Sequence, residues 1–225
     1  PAHTKPKEGP TRLAYISTPH RGLDVLIAAF RAAKFENVEL DVYSSFKIYG
    51  LEDKDKDWEP LYNACKETPN VNYHGSVSNE EIRTALQQTH ILAYPSVYKE
   101  TGCISAIEAM SAGCVVVCPN LAVLPETCAN FAWMYGYCED KSDHAKKFAY
   151  VLKDAIDNFW EPPVQAGLGF QKQYFDMHYD IDTTAKQWTM MLSTIKDNLE
   201  SQKQKKHHDK ESESRKKTDE DQKDS

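Results

Sequence analysis

Two glutamates, Glu100 and Glu108, stand with seven residues between them in the stretch KETGCISAIEAMSAG. The residues that follow Cys103 have helical spacing. Glu100 therefore belongs to a loop just ahead of a helix, and Glu108 lies about one turn inside it. The first backbone N–H groups of a helix have no partner within it and carry a partial positive charge. Such an end suits a phosphate or diphosphate, and Gly102 lets a backbone approach closely. A carboxylate accepts hydrogen bonds from hydroxyls. One acid on each side of an anion site fits an elongated ligand, hydroxyl-rich at both ends with phosphates between. The same pair also fits a plainer reading, one exposed loop glutamate and one exposed helix glutamate.

A second constellation is STPHRGLD, residues 17–24. Arg21 and Gly22 stand where a helix begins, so Arg21 can set a fixed positive charge on a phosphate. Ser17 can donate its hydroxyl to the same group. A strand–helix turn with a solvated arginine accounts for these residues equally well. Taken together, the two constellations suggest a nucleotide sugar.

Repeated strand–helix units must position these residues. Strands are expected at RLAYIS, VELDVYS, NVNYHG, HILAYPS, CVVVCP and FAWMYG. The fifth, β-branched and apolar throughout, should be buried on both faces. Helices are expected over 22–34, 58–67, 78–88, 105–113, 143–159, 167–178 and 181–199. Ser78 with Glu81 forms a capping-box signature, and Gly113 has the place of a helix-ending glycine. LEDKDKD, residues 51–57, reads as a surface loop. Alternating strands and helices imply a doubly wound, Rossmann-like parallel sheet covered on both faces. Ligands of such sheets sit beyond the carboxyl ends of the strands, where both constellations fall.

Composition narrows the function. The chain has 225 residues and a net charge of −7, so a nucleic acid is not an expected partner. No apolar run approaches the ~18 residues that span a bilayer. The six cysteines lack zinc-site spacing and are read as buried free thiols. No metal and no cofactor are expected. The turn STPHRG has one glycine, not the G-x-G-x-x-G of a dinucleotide fold, and G-x-S-x-G is absent. From Glu200 onward there is no apolar residue, and eight Lys/Arg face eight Asp/Glu. Residues 200–225 are therefore expected to be a disordered tail. The chain starts without Met, and residues 1–11 are read as a linker from a further amino-terminal region.

These motifs carry a resemblance. PSVYKETGCISAIEAMSAGCVVV, YISTPHRGLDVLIAAF, VNYHGSVSNEEIRTAL and LPET occur in the order and spacing of retaining family-4 glycosyltransferases (glycosyl transferases group 1 type). The chain, over about 13–199, resembles their carboxyl-terminal, donor-binding domain, one half of a GT-B fold. The resemblance implies sugar transfer from a nucleoside diphosphate sugar with retention at the anomeric carbon. It implies that Glu100 contacts donor-sugar hydroxyls and Arg21 the diphosphate, these two being the catalytic candidates. The backbone of Thr101, Gly102, Cys103 and Ile104 would cradle sugar and diphosphate, with Ser17 beside it. Glu108 would hold the ribose, Ser76 and Val77 would line the base pocket, and Glu126 would sit near the cleft.

Three departures qualify it. Where the family often has a second basic residue, this chain has Tyr15, Ile16 and Ser17, which leaves Lys99 as a candidate helper. The loop after Glu100 is TGC, not aromatic. The acceptor-binding half is absent from these residues, so it is expected in the same polypeptide or in a partner chain. The expected location is cytoplasmic, with any membrane attachment peripheral and through that other region. The alternative is a non-catalytic module that binds a nucleotide sugar or a partner.

Overall fold

A computed structural model describes residues 5–221. The chain divides into two compact units, Pro1–Asp176 and Met177–Ser225. The first holds six strands, β1 (Thr11–Ile16), β2 (Val38–Tyr43), β3 (Val71–Tyr73), β4 (Ile91–Ala93), β5 (Val115–Pro119) and β6 (Trp133–Tyr135). They form one sheet in the order β3-β2-β1-β4-β5-β6, and every pairing is parallel. Each expected strand is present, and the sheet is the doubly wound kind foreseen.

The helices are α1 (Leu23–Ala33), α2 (Glu59–Glu67), α3 (Asn79–Gln88), α4 (Ile104–Ser111), α5 (Leu124–Thr127), α6 (Lys141–Asn158), α7 (Pro162–His178) and α8 (Ile181–Asp221). α1 packs against both α2 and α6, and α6 also lies along β4, β5 and β6. α3 and α4 pack on each other, α3 reaching β1 and α4 reaching β5. All five residues of β5 and all three of β4 are buried, as a strand covered by helices on both faces requires. β2 alternates buried and half-buried positions. The core runs through Leu13, Leu26, Leu40, Leu92, Val116 and Phe148, all fully buried.

Because β1 and β4 are neighbours, the strand order reverses between them. A doubly wound sheet opens a crevice at the carboxyl ends of such a pair. Gly22 fixes the two loops there. It has φ +116°, and a Cβ on it would stand 2.1 Å from the Pro95 carbonyl oxygen. Only glycine allows that contact. Val97 N–H donates to the Arg21 carbonyl at 3.3 Å across the same seam.

Four expectations are corrected. Residues 1–11 do not form a free linker over their described part. Lys5 is 6 % exposed and donates to the Leu86 carbonyl at 2.6 Å, and Thr11 already begins β1. LEDKDKD is a 3-10 helix, Glu52–Trp58, because Asp55 accepts from Ser45 Oγ, Phe46 N–H and Tyr62 Oη at 2.6–2.9 Å. The span 12–199, read as one domain, includes the boundary between the two units after Asp176. The tail from residue 200 continues α8 as far as Asp221. That segment has no Gly or Pro, and Lys, Glu and Gln favour helix without needing a core. Residues 222–225 lie outside the described range.

Candidate functional site

A cleft of about 330 Å³ opens at the β1/β4 reversal. Loops after β1, β2, β3 and β4 wall it. Ten of the twelve candidates named from the sequence line it: Ser17, Arg21, Ser76, Val77, Glu100, Thr101, Gly102, Cys103, Ile104 and Glu108.

α4 supplies the floor. Cys103 is its N-cap residue and offers no side-chain hydrogen bond to the helix end. The thiol is buried instead, and burial pushes it up to about 12. Cys103 therefore presents backbone to the cleft while its sulfur stays in the core. Thr101, Gly102 and Ile104 are exposed at the lip. A Cβ at Gly102 would meet nothing within 4 Å, so the protein's own packing does not call for glycine there. Ser105 donates to the Ile16 carbonyl at 2.6 Å, tying the start of α4 to the end of β1.

The two glutamates differ. Glu100 is 5 % exposed. Arg21 Nη1 donates to both its oxygens at 2.5 Å, and Tyr94 Oη donates to Oε1 at 2.6 Å. Burial works against the Arg21 charge, but the Glu100 carboxylate outweighs it and holds the guanidinium above its ordinary value. The Tyr98 ring lies 4.6 Å from the guanidinium carbon, a cation–π contact. Arg21 Nε is buried with no partner. Glu108, the fifth residue of α4, is half-buried, and its carboxylate has no hydrogen bond or ion pair among the described residues. Burial raises its carboxyl above the ordinary glutamate value, and Arg83 partly offsets this.

Ser76 and Val77 follow Gly75, whose φ of +70° turns the chain out of β3. Beyond them, Ser78 accepts from the Glu81 N–H while Glu81 accepts from the Ser78 N–H, closing the capping box of α3. Next to this wall, Tyr43 stacks on His74 with ring centroids 4.5 Å apart.

Reasoning from sequence missed several lining residues. The 3-10 turn Phe46–Tyr49 places Ile48 and Tyr49, both more than half exposed, on the rim. Tyr98 and Ser105 also line the cleft. Tyr94, whose hydroxyl holds Glu100, was not singled out from the sequence either. Lys99 and Glu126 are exposed and do not line the cleft. Among the described residues, no group of three His, Cys, Asp or Glu is placed to hold a metal ion, and no helix is long and apolar enough to cross a membrane. All six cysteines are free, and five are buried.

Comparison with known proteins places this geometry. Residues 5–163 match the family model described as "Glycosyl transferases group 1". O-antigen chain mannosyltransferase B of Escherichia coli is 31 % identical over 105 residues, which are 46 % of this chain and 26 % of that protein. Sucrose-phosphate synthase from Thermosynechococcus elongatus superposes with a TM-score of 0.65 at 18 % identity, over 84 % of this chain and 46 % of that one. Anabaena HepE in complex with UDP-glucose gives 0.64 at 17 % identity, over 82 % and 49 %. The chain thus spans about half the length of these solved structures and about a quarter of the mannosyltransferase.

Proposed function

The chain belongs to the glycosyl transferases group 1 family, and from that premise we propose that its cleft binds a nucleoside diphosphate sugar. In a complete enzyme it would serve as the donor half, passing the sugar to an acceptor held by a second domain, with retention at the anomeric carbon. One observation carries the reading. An uncapped helix end, a part-buried arginine with an unpaired Nε and an unpaired half-buried carboxylate line the same cleft at the strand-order reversal.

Each group has a task under this proposal. The α4 N–H groups and Arg21 receive the diphosphate and stabilise charge as the nucleoside diphosphate departs. Glu108 accepts hydrogen bonds from ribose hydroxyls, and Ser76 and Val77 border the base. Glu100 turns to the sugar. Arg21 and Tyr94 hold it. A diphosphate that draws Arg21 away frees one side of Glu100 for sugar hydroxyls, while Tyr94 keeps the carboxylate in place. Positive charge comes from fixed protein groups, so a divalent ion has no part in the proposal.

The test is turnover. A polypeptide joining this chain to its acceptor half should transfer sugar or hydrolyse donor, and Arg21→Ala should lower that rate far more than it lowers thermal stability. Arg21→Ala that simply melts the protein would make Arg21 structural. Donor binding with no turnover in any context would favour a binding module, a reading kept open by the half-length span of the chain.

A further inference from the structure

His20 precedes Arg21 in the 3-10 turn Pro19–Arg21. It does not itself line the cleft, but three of the loops that wall the cleft include or touch its ring. It stacks on Phe46, in the loop after β2, with centroids 5.3 Å apart and planes 12° from parallel. It meets Tyr98, in the loop after β4, edge to face at 5.4 Å. The same Tyr98 ring carries the Arg21 guanidinium. His20 Nδ1 is buried with no hydrogen-bond partner, although the residue as a whole is half-buried. A ring placed there for packing alone would do better as a phenyl, which buries no polar nitrogen.

Two aromatic neighbours suit an imidazolium as well as an imidazole, because ring faces attract a cation. Charge decides between the two forms. Arg21 on the same turn and Lys54 from the 3-10 helix Glu52–Trp58 are the positive groups near the ring, and Glu100 from the loop after β4 is the negative one. Lys54 Nζ lies 6.0 Å from the centre of the Phe46 ring, and Tyr98 is the remaining titratable side chain against His20. Burial holds the imidazole below the ordinary histidine value, with Arg21 and Lys54 adding to this and Glu100 opposing it. The ring is therefore neutral near pH 7. A diphosphate diester received by Arg21 brings two further negative charges and turns the balance toward the protonated ring. Such an effect acts over several ångströms and needs no contact.

On the premise that the cleft takes a nucleoside diphosphate sugar, we propose that His20 takes up a proton from solvent when the diphosphate binds, and so sets a second positive charge beside Arg21. Among the described residues Arg21 is the only lysine or arginine in the cleft lining. The imidazolium adds to it only once the anion has arrived, so the free chain does not hold two like charges side by side on one turn. The same charge then stabilises the nucleoside diphosphate as it departs.

Calorimetric titration of the chain with UDP-glucose, UDP-N-acetylglucosamine and GDP-mannose reads the proton directly. Near pH 7, in two buffers of different ionisation enthalpy, the wild type should take up protons on binding. Its affinity should rise by about threefold or more as pH falls from about 8 to about 6, since a proton that binding favours must favour binding in turn. The diphosphate diester keeps its charge over this range. Glu108 acts in the opposite sense, because its raised carboxyl must be ionised to accept hydroxyls, and His74 is already engaged with Asp41 at 2.7 Å. Both contributions persist in His20→Phe, which keeps the stacked ring, and in His20→Gln, which keeps a polar group. Each variant, shown to be folded by circular dichroism, should lose the proton uptake and the rise in affinity. Uptake that persists in either variant, or wild-type binding with neither uptake nor a rise, would overturn the inference and leave the reading of the cleft intact. A folded wild type that binds none of the three donors at any pH would overturn that reading, and the inference with it.

Discussion

The two edges of the sheet treat buried polar groups in opposite ways. At the amino edge, each is sealed. Lys5 Nζ donates to the Leu86 carbonyl and lies 3.4 Å from Cys114 Sγ. His90 accepts the Arg12 N–H on Nδ1 at 2.9 Å, and its Nε2 meets the Pro6 carbonyl at 2.7 Å. At the carboxyl edge, partners are missing. Among the described residues, Thr18 Oγ1, His20 Nδ1, Arg21 Nε and Ser44 Oγ, which follow β1 or β2, and His144 Nδ1, which follows β6, are buried and unpaired. The helices repeat the contrast within that edge, since α3 has a closed capping box and α4 has no side-chain cap. An unpaired buried polar group costs about 1–3 kcal/mol. Sealed groups at one edge hold the fold; of the unpaired ones at the other, Arg21 belongs to the lining of the cleft.

That contrast can be broken at several points. The largest effect is expected at Gly22, where both edges depend on the seam between β1 and β4. Gly22→Ala drives a Cβ against the Pro95 oxygen at a positive φ. It should cost about 3–5 kcal/mol or prevent folding, as read by chemical denaturation.

His90→Ala comes next, with about 2–3 kcal/mol lost from two hydrogen bonds and from ring contacts with Phe159 and Trp160. Its ligand affinity should not change, since the amino edge takes no part in binding. The pH dependence has a definite sign. Burial lowers the His90 pKa below the ordinary value, and Nδ1 must stay unprotonated to accept the Arg12 N–H. The associated stability is present above the ordinary histidine pKa, about 6.5, and is lost as pH falls through the depressed folded value. Melting temperatures measured from pH 7 downward should fall in the wild type and fall less in His90→Ala.

Glu108→Gln sharpens the comparison by separating stability from binding. Burial raises the Glu108 carboxyl, so its charged form opposes folding. That burden grows as pH rises through the ordinary glutamate value toward the raised one. The empty variant should therefore melt higher than wild type at neutral pH, with the gap closing in acid. Its affinity for a nucleotide sugar should nevertheless drop, by about 1–3 kcal/mol. A side chain kept only for packing would not give opposite signs. The smallest effect is expected from Tyr94→Phe, which removes one hydrogen bond to Glu100 and should lower affinity by about 1 kcal/mol with little change in fold.

Local chemistry was legible in the sequence, and distant pairing was not. The Ser78–Glu81 capping box, the apolar run of β5 and the glycine after α4 each depend on residues within a few positions. Each appears as expected, with Gly113 at φ +73°. The doubly wound sheet followed from strand–helix alternation, whereas the reversal between β1 and β4 came only with the strand order. The Arg21–Glu100 contact joins residues 79 positions apart and exists only because β1 lies beside β4. Two separate readings, one of each residue, could not predict that they hold each other. Asp55 was hidden by its setting, because an acid among lysines reads as solvated until Ser45, Phe46 and Tyr62 are brought to it. The rim residues Ile48 and Tyr49 lie on a 3-10 turn with no periodicity to reveal it. In α8, composition argued for disorder while helix propensity prevailed.

Calorimetric titration of this chain with a panel of uridine and guanosine diphosphate sugars, wild type beside Glu108→Ala, bears most directly on the spare groups of the carboxyl edge. Saturable one-to-one binding of at least one donor, weakened tenfold or more in the variant while its fold is intact, is the result the account predicts. Equal affinity in both proteins, or no heat from any donor with a folded wild type, would contradict it.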